Sequence, residues 1–509
     1  VMVSLGPHLE GNCLPHPDLS DSETMAFGVY KRIAAKLPSA DPKMLMELRS
    51  HVQEFLEKNF RPLSPDEDLT FETWLSEKDY PAWRKAELNE VHESMVQGSI
   101  PKSYRKVKCF MKAETYVEFK HGRGIFSRSD QFKCLYGPLC AAIEKQMYEY
   151  PAFIKHIPVP DRPKYISEVL ATDCDDTRAT DYTSYESSFS KELMDVLDFE
   201  LFRFFFKNFD EKFLERYFEV KGGENTCVFK WFTLLIQARR MSGEMDTSLC
   251  NGFANFIVTH FLCKKVLGCE PRMVVEGDDG LTKTDKGKFP TPEDYAKLGF
   301  NIKLVTHEEI STASFCGIIF HPDDRVNVTD PRTLLASFGW AGRQYCKAGN
   351  KTAMKLLRCK ALSYLYQYPG CPIVQELALY GLRVTRSFDV RSFIENERSF
   401  GWWQRAKFRE ALGVRHDVIR EVPMNTRILV DRLYGIPVET QVKLEEQLRS
   451  MDRVEPIKSD LLFNLPRDWS NYWNQFVAPK GQPPLVRPRR GLTSYKAVQF
   501  AIRGSRYKK

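Results

Sequence analysis

The stretch Val274-Val275-Glu276-Gly277-Asp278-Asp279-Gly280-Leu281-Thr282 places two adjacent carboxylates in a tight turn between two apolar runs. The runs read as short strands over 272–277 and 280–283, since each is brief, apolar and bounded by turn residues. Asp-Gly sequences close many hairpins, so in isolation the segment also reads as an ordinary turn. An ordinary turn does not account for the charge, because neighbouring carboxylates repel and are costly to hold together without a cation.

Two more segments supply partners for that turn. Ala179-Thr180-Asp181-Tyr182-Thr183-Ser184-Tyr185-Glu186 puts one acidic residue at the end of an apparent strand and a second five positions on. Asp181 could equally cap a following helix. Magnesium is held by a few carboxylates together with phosphate oxygens and water. A two-metal site for in-line phosphoryl transfer needs carboxylates from separate strands, converging on ions about 3.5–4 Å apart. Asp181, Asp278 and Asp279 could build it. The third segment, Ser242-Gly243-Glu244-Met245-Asp246-Thr247-Ser248-Leu249-Cys250-Asn251, opens with a flexible glycine before a helix. Thr247 and Asn251 are four apart and share one helix face, which can present a hydroxyl and an amide to a ribose. Helix capping by Ser242 or Thr247 is the plainer alternative, and it leaves Asn251 unexplained.

The order and spacing of the three segments resemble the palm motifs of viral RNA-dependent RNA polymerases. Residues 181–188 resemble the first carboxylate motif, residues 242–251 the nucleotide-selecting motif, and Gly277-Asp278-Asp279 the GDD turn. Lys112-Ala113-Glu114 with Arg123-Gly124-Ile125 and Arg128 resembles the fingers motif lining the nucleotide channel. Phe315-Cys316-Gly317 resembles the turn that grips the primer end. The resemblance spans roughly 105–340 and is nearest to the tombus-like and noda-like small-virus polymerases, while Asp181-Tyr182-Thr183 also echoes picornaviral enzymes. The second acidic position of the first motif is commonly Asp in these families and is Glu186 here.

The resemblance implies an α+β right-hand polymerase of a positive-strand RNA virus. Its palm would be an antiparallel sheet packed on helices, with a mainly helical thumb. The layout expected is an N-terminal extension and fingers over 1–165, palm over 166–195, a fingers insertion over 196–236, palm over 237–330, thumb over 331–479 and a basic tail over 480–509. The implied reaction is template-directed RNA synthesis from ribonucleoside triphosphates. Asp181, Asp278 and Asp279 would hold Mg²⁺, with Mn²⁺ as a substitute. Lys112, Lys120, Arg123 and Arg128 would hold the triphosphate. Glu186, Ser242, Gly243, Thr247 and Asn251 would select the ribonucleotide, and Lys303 would give a proton to pyrophosphate, with His307 as the alternative. The partners implied are RNA template, nascent RNA and other viral replication proteins, and the place is membrane-associated replication complexes in the host cytoplasm. A reverse transcriptase shares the palm chemistry but usually has an aromatic or apolar residue where Gly277 stands. A non-catalytic RNA-binding scaffold would not need all three carboxylates.

Composition sets wider bounds. With 509 residues, 43% of them hydrophobic, the chain can bury a large core and is not a disordered sequence. The net charge of +7 argues only weakly for nucleic acid. Its distribution says more. From 101 to 130 basic residues interleave with Phe110, Tyr116, Phe119 and Phe126, a composition that suits either a solvated surface or a nucleic-acid channel. From Lys480 onward nine basic residues face no acidic one, and this tail is expected to bind RNA or an acidic partner, with a solubilising terminus or an arm packed along the fingers or thumb as the plainer alternatives. None of the 13 cysteines forms a CxxC pair, which argues against a zinc ribbon and fits reduced thiols. The sequence has no apolar run of transmembrane length. It begins at Val1, as a product excised from a larger chain or an arbitrary start would. Helices are predicted over 43–58, 131–150, 191–206, 247–262 and 293–298, the last closed by Gly299, with mainly helical structure after 330.

Overall fold

The computed structural model describes residues 2–474 apart from 35, 97, 99, 172–175, 211 and 415. The basic tail from Lys480 lies outside the described residues. The fold is mixed, with helices around three small sheets. The strands are β1 (Met2–Ser4), β2 (Lys106–Met111), β3 (Gly124–Arg128), β4 (Asp176–Tyr182), β5 (Asn225–Val228), β6 (Thr233–Ile236), β7 (Arg272–Glu276), β8 (Asp279–Thr284), β9 (Ile302–His307) and β10 (Trp340–Gly342). One four-stranded sheet runs β7-β8-β4-β9 and is antiparallel throughout. A second runs β3-β2-β5-β6, with β2 and β5 parallel. β1 pairs with β10 across more than 330 residues of sequence.

The β7-β8-β4-β9 sheet is apolar on both faces, because alternate side chains of a strand point opposite ways. Met273 and Val275 join the largest core cluster, built on the helices Pro42–Asn59, Asp130–Met147 and Thr247–Phe261. Val274 and Leu281 point the other way, into a cluster with Ile154, Ile166, Phe315 and Phe320. The helix Pro42–Asn59 forms as its pattern predicts. Asp41 caps it by accepting from the Lys43 and Met44 amides, Pro42 occupies its first turn, and Leu48, Val52, Phe55 and Leu56 are buried.

The helix Thr247–Phe261 is buried from Leu249 to its end, so each of its polar groups needs an internal partner. The Thr259 hydroxyl meets the Tyr295 hydroxyl at 2.8 Å, and His260 Nδ1 meets His51 Nε2 at 2.9 Å. Both imidazoles are held down to about 4, chiefly by burial, and are neutral at physiological pH.

The two ends of the chain cross. Leu5, Leu9 and Leu14 pack into the cluster formed by the C-terminal helices, against which Val117 also packs. In return the C-terminal helix Arg467–Tyr472 docks on the N-terminal part. Trp469 Nε1 donates to the Val117 carbonyl at 3.0 Å, its ring meets Phe119 edge-on at 5.2 Å, and the Tyr472 hydroxyl lies 2.8 Å from that of Thr24. Emptying a buried tryptophan site costs about 3–5 kcal/mol. Trp469→Ala is therefore expected to lower the unfolding free energy by that amount and to move the denaturant midpoint down accordingly, and an unmoved midpoint would show that this dock adds no stability.

Candidate active site

β7 and β8 are joined by a two-residue loop, Gly277-Asp278, between the paired residues Glu276 and Asp279. Gly277 has φ +61° and Asp278 is not among the residues with positive φ, the arrangement of a hairpin turn that needs glycine first. Asp181 lies in β4, not at a helix N-cap; the helix that follows is capped by Ser190. The β4–β8 register runs to Thr180 opposite Gly280, and one further step brings Asp181 opposite Asp279. On its other side Asp181 pairs directly with Lys303 of β9. Partners across an antiparallel pair project to the same face. Lys303 therefore stands beside the carboxylates, whereas His307 is four residues along β9, about 13 Å away, where it bonds the Thr312 hydroxyl at 2.9 Å.

Asp181, Asp278 and Asp279 are exposed. Burial raises the Asp278 carboxyl above its ordinary range; Glu186 adds to this, and Arg32 and Arg123 offset part of it. Burial and then the Asp278 charge push Asp279 up to about 6, with Asp181 contributing. Among the described residues no cationic side chain forms a salt bridge with any of the three. A divalent cation fits this donor set. The oxygens are hard, come from neighbouring strands, repel one another and have no positive partner of their own. The three carboxylates are not drawn within 4.8 Å of one another, as expected for like charges.

The turn is held from behind by residues the sequence reading did not single out. Asn255 donates to the carbonyls of Gly277 (3.2 Å) and Asp279 (3.0 Å). Gly280 is required beside it, since a Cβ there would lie 2.7 Å from the Thr180 hydroxyl and 3.2 Å from the Asn255 amide. Glu276 is neutralised by Arg162 at 2.5 Å and accepts from Cys316 Sγ at 3.6 Å. Cys316 and Gly317 form a left-handed turn closed by reciprocal bonds between Phe315 and Ile318, which brings the Phe315-Cys316-Gly317 segment against the GDD hairpin. Asn255 had a visible signal, as the next i+4 position after Asn251. Arg32, whose Nη2 lies 3.7 Å from Glu186, had none.

The segment 242–251 is clamped to β3. The Gly243 amide donates to the Phe126 carbonyl at 2.8 Å and the Ser242 hydroxyl to that of Gly124 at 3.3 Å. A Cβ on Gly243 would sit 2.8 Å from that same Phe126 oxygen. The Thr247 hydroxyl donates locally, to the Met241 and Glu244 carbonyls. Asn251 Oδ1 and Glu186 Oε2 are both buried acceptors without a hydrogen-bond donor, and the Tyr185 hydroxyl ties the two segments by donating to the Asn251 carbonyl at 2.9 Å. Glu186 follows a loop that turns through Ser184 in the left-handed region, where the Ser184 hydroxyl donates to the Lys31 carbonyl at 2.9 Å.

The four basic residues expected at the triphosphate have different surroundings. Lys112 and Arg123 share Glu114, at 2.7 Å for both Lys112 Nζ and Arg123 Nε, and Arg123 is within electrostatic reach of Asp278. Lys120 is exposed and lies over the Tyr116 ring at 5.8 Å. Arg128 is buried, and its guanidinium is committed to Glu244, to Asn225 Oδ1 at 2.6 Å and to the Arg105 carbonyl at 3.1 Å. It is engaged inside the protein, so it does not offer free donors to a phosphate.

Arg128 belongs to a buried charge network. Glu244 also takes Lys221, Lys221 reaches Asp246 at 2.8 Å, and Arg240 grips Asp198 with both terminal nitrogens, one at 2.9 Å. The oxygens of Asp198 and Asp246 and Cys250 Sγ lie within 4.8 Å of one another, a geometry that could hold an ion. Arg240 and Lys221 already neutralise those carboxylates. Removing one member of a buried pair strands its partner at about 3–5 kcal/mol. Lys221→Met is expected to destabilise the protein by that order in urea unfolding; wild-type stability in the variant would mean that Glu244 and Asp246 need no cation.

Asp279 also makes a pH prediction. Its folded-state value of about 6 exceeds the ordinary 3.8, so the folded chain keeps a proton that the unfolded chain has released. The stability this brings is full below about pH 4 and lost as pH rises through about 6. A divalent cation competes with that proton. The increase in melting temperature caused by Mg²⁺ should therefore be larger at pH 7.5 than at pH 5, and should shrink in Asp279→Ala. A shift independent of pH would place the ion elsewhere.

Residues 212–452 match the family model described as viral RNA dependent RNA polymerase. The match takes in Ser242, Asn251, Asp278 and Asp279 and begins after Asp181. A comparison with curated proteins found no match.

Proposed function

We propose that this chain is the RNA-directed RNA polymerase of a positive-strand RNA virus, in keeping with the viral RNA dependent RNA polymerase family model matched by residues 212–452, and that it joins ribonucleoside triphosphates by a two-metal mechanism centred on Asp181, Asp278 and Asp279. The observation that carries this reading is the register of the β7-β8-β4-β9 sheet. It sets Lys303, Asp181 and Asp279 abreast on three adjacent strands, with Asp278 in the turn beside them. In the right-hand layout this sheet is the palm, the β3-β2-β5-β6 sheet belongs to the fingers, and the helices after 330 form the thumb.

Mg²⁺ is the ion we assign to the three carboxylates, with Mn²⁺ able to replace it. When bound, the ions would lower the charge on the attacking 3′-oxygen and on the leaving pyrophosphate. The protein's own groups do the rest. Arg123 and Lys112, oriented by Glu114, hold triphosphate oxygens; Arg suits this because its planar fork meets phosphate with two donors. Lys303, beside Asp181, is the proton donor to pyrophosphate. Asn251 and Glu186 leave two buried acceptors unfilled, and a ribose 2′-hydroxyl would supply a donor there. The glutamate is one methylene longer than the aspartate usual in the family, and Arg32 braces it.

The template is read by base pairing, so contacts to RNA are mostly to its backbone and binding weakens with salt. No described helix is long and apolar enough to cross a membrane. We assign the enzyme to replication complexes at host cytoplasmic membranes, reached through other viral proteins.

Asp278→Ala should lower incorporation on a primed RNA template by at least roughly 100-fold, about 3 kcal/mol of barrier, with RNA binding retained. A variant keeping more than a few per cent of activity would refute the metal-site assignment. Asn251→Asp and Glu186→Ala should narrow the preference for UTP over dUTP, because a site built around a hydroxyl penalises its absence. Equal losses on both nucleotides would remove these residues from sugar selection.

A further inference from the structure

The β7-β8-β4-β9 sheet continues for a few residues beyond β7. The segment 152–154 runs parallel to that strand, with Phe153 opposite Val275. The Val275 amide donates to the Ala152 carbonyl at 2.8 Å, and the Ile154 amide to the Val275 carbonyl at 3.3 Å. Phe153 shares a core cluster with Val275, and Ile154 joins Val274 on the opposite face. Continuing that register sets Lys155 level with Gly277 of the GDD turn, one strand spacing of about 4.8 Å to the side, and on the Phe153 face. The side chain follows that direction. Lys155 Nζ lies over the ring of Tyr148, the residue that ends the helix Asp130–Met147, at 5.8 Å from its centre. Lys155 is half-buried, and among the described residues its ammonium makes no hydrogen bond and no salt bridge. Burial is the main influence on that ammonium and lowers it from its ordinary value; Glu144 and then Glu276 act the other way, and Lys78 adds to the lowering. Glu276 is already held by Arg162 at 2.5 Å. A half-buried cation without a partner is costly unless an anion arrives to meet it.

Lys303 stands at the other outer edge of the same sheet, on β9. The three carboxylates therefore lie between two lysines, one at each edge. Phosphoryl transfer sets the attacking and leaving oxygens roughly in line. With Lys303 assigned to the leaving pyrophosphate, the strand that carries the attacking 3′-oxygen comes from the side of Lys155. We infer that Lys155 is a backbone contact for the nascent RNA strand, its ammonium taking a phosphodiester near the 3′ end while the Tyr148 ring braces it. This rests on the polymerase reading and deepens it. A lysine meets phosphate as a point charge, so the contact is indifferent to base. The plainer role for Lys155 is to balance Glu144 inside the protein. A lysine with that role alone would be dispensable once Glu144 is made neutral.

The test measures binding of the full chain, with Mg²⁺ and no nucleotide, to a primed RNA template and to the same template unprimed, over a range of salt. Lys155→Gln should weaken binding of the primed template by roughly 10-fold at low salt and reduce the slope of log Kd against log salt by about one, with the unprimed template bound as by the wild type. Lys155→Arg should recover most of the affinity, and Tyr148→Phe, which keeps the ring, should bind as the wild type does. Glu144→Gln should bind the primed template at least as tightly as the wild type. If Lys155→Gln leaves primed binding unchanged, the contact is overturned; if it weakens both RNAs equally, the phosphate belongs to the template and the nascent-strand assignment is overturned. If Glu144→Gln shares the defect, or restores binding when combined with Lys155→Gln, Lys155 is only the internal partner of Glu144. A wild-type chain that binds the primed template yet incorporates no nucleotide overturns the polymerase reading instead.

Discussion

Three buried cations, Arg128, Lys221 and Arg240, facing three buried carboxylates, Asp198, Glu244 and Asp246, are the interaction on which the site depends. Taking six charges out of water is expensive, and the cost is recovered only if every charge is met and the remaining donors and acceptors are satisfied. Here the charges balance, and neutral groups meet part of what remains, while Arg240 Nε is left without a hydrogen-bond partner. Tyr136 donates to Asp246 at 2.9 Å, and Asn225 accepts from Arg128 at 2.6 Å. The six residues come from β3, from the helices Asp195–Phe199 and Lys212–Lys221, and from the segment leading into helix Thr247–Phe261. No one of these elements can move without stranding a charge, so the network fixes the loop carrying Ser242 and Gly243 against β3.

The second acidic group is built on the opposite rule. Among the described residues no cation forms a salt bridge with Asp181, Asp278 or Asp279, and burial raises both Asp278 and Asp279. Arg162 could have served such a role, yet it is spent on Glu276, two residues before Asp278. The same chain therefore neutralises one acidic cluster internally and leaves the other to be neutralised from outside. On the proposed two-metal reading, the repulsion that the protein leaves unrelieved there is available to bind an ion and a phosphate.

Much of this was readable in the sequence, for reasons that show where reading stops. The GDD hairpin, β4 and the helices Pro42–Asn59 and Thr247–Phe261 rest on local periodicity and turn chemistry, and each formed within a few residues of its expected bounds. Asp181 and Lys303 became neighbours only through β9, a strand the pattern did not reveal because Lys303, Val305 and Thr306 are exposed on it. Arg128 was misread for a related reason. A run of basic residues looks uniformly solvated, whereas β3 turns Arg128 inward to meet Glu244, 116 positions away. Pairings at that range, like Arg32 with Glu186 or β1 with β10, leave no trace in local composition.

The crossing of the chain ends completes the logic of the site. Phosphoryl transfer tolerates little error, since reacting atoms must approach within about 3–3.5 Å in line. The C-terminal helices lie far along the chain from both Asp278 and Lys112, and no local contact can hold them at a fixed distance from either. The N-terminal segment does part of this work by placing Leu5, Leu9 and Leu14 in the C-terminal core, while Trp469 and Tyr472 anchor the far end beside Phe119 and Thr24. The helix Ser22–Ile33 that carries Thr24 ends next to Arg32, the residue that braces Glu186. The same short stretch thus ties the C-terminal helix to Glu186, the carboxylate proposed to meet the ribose.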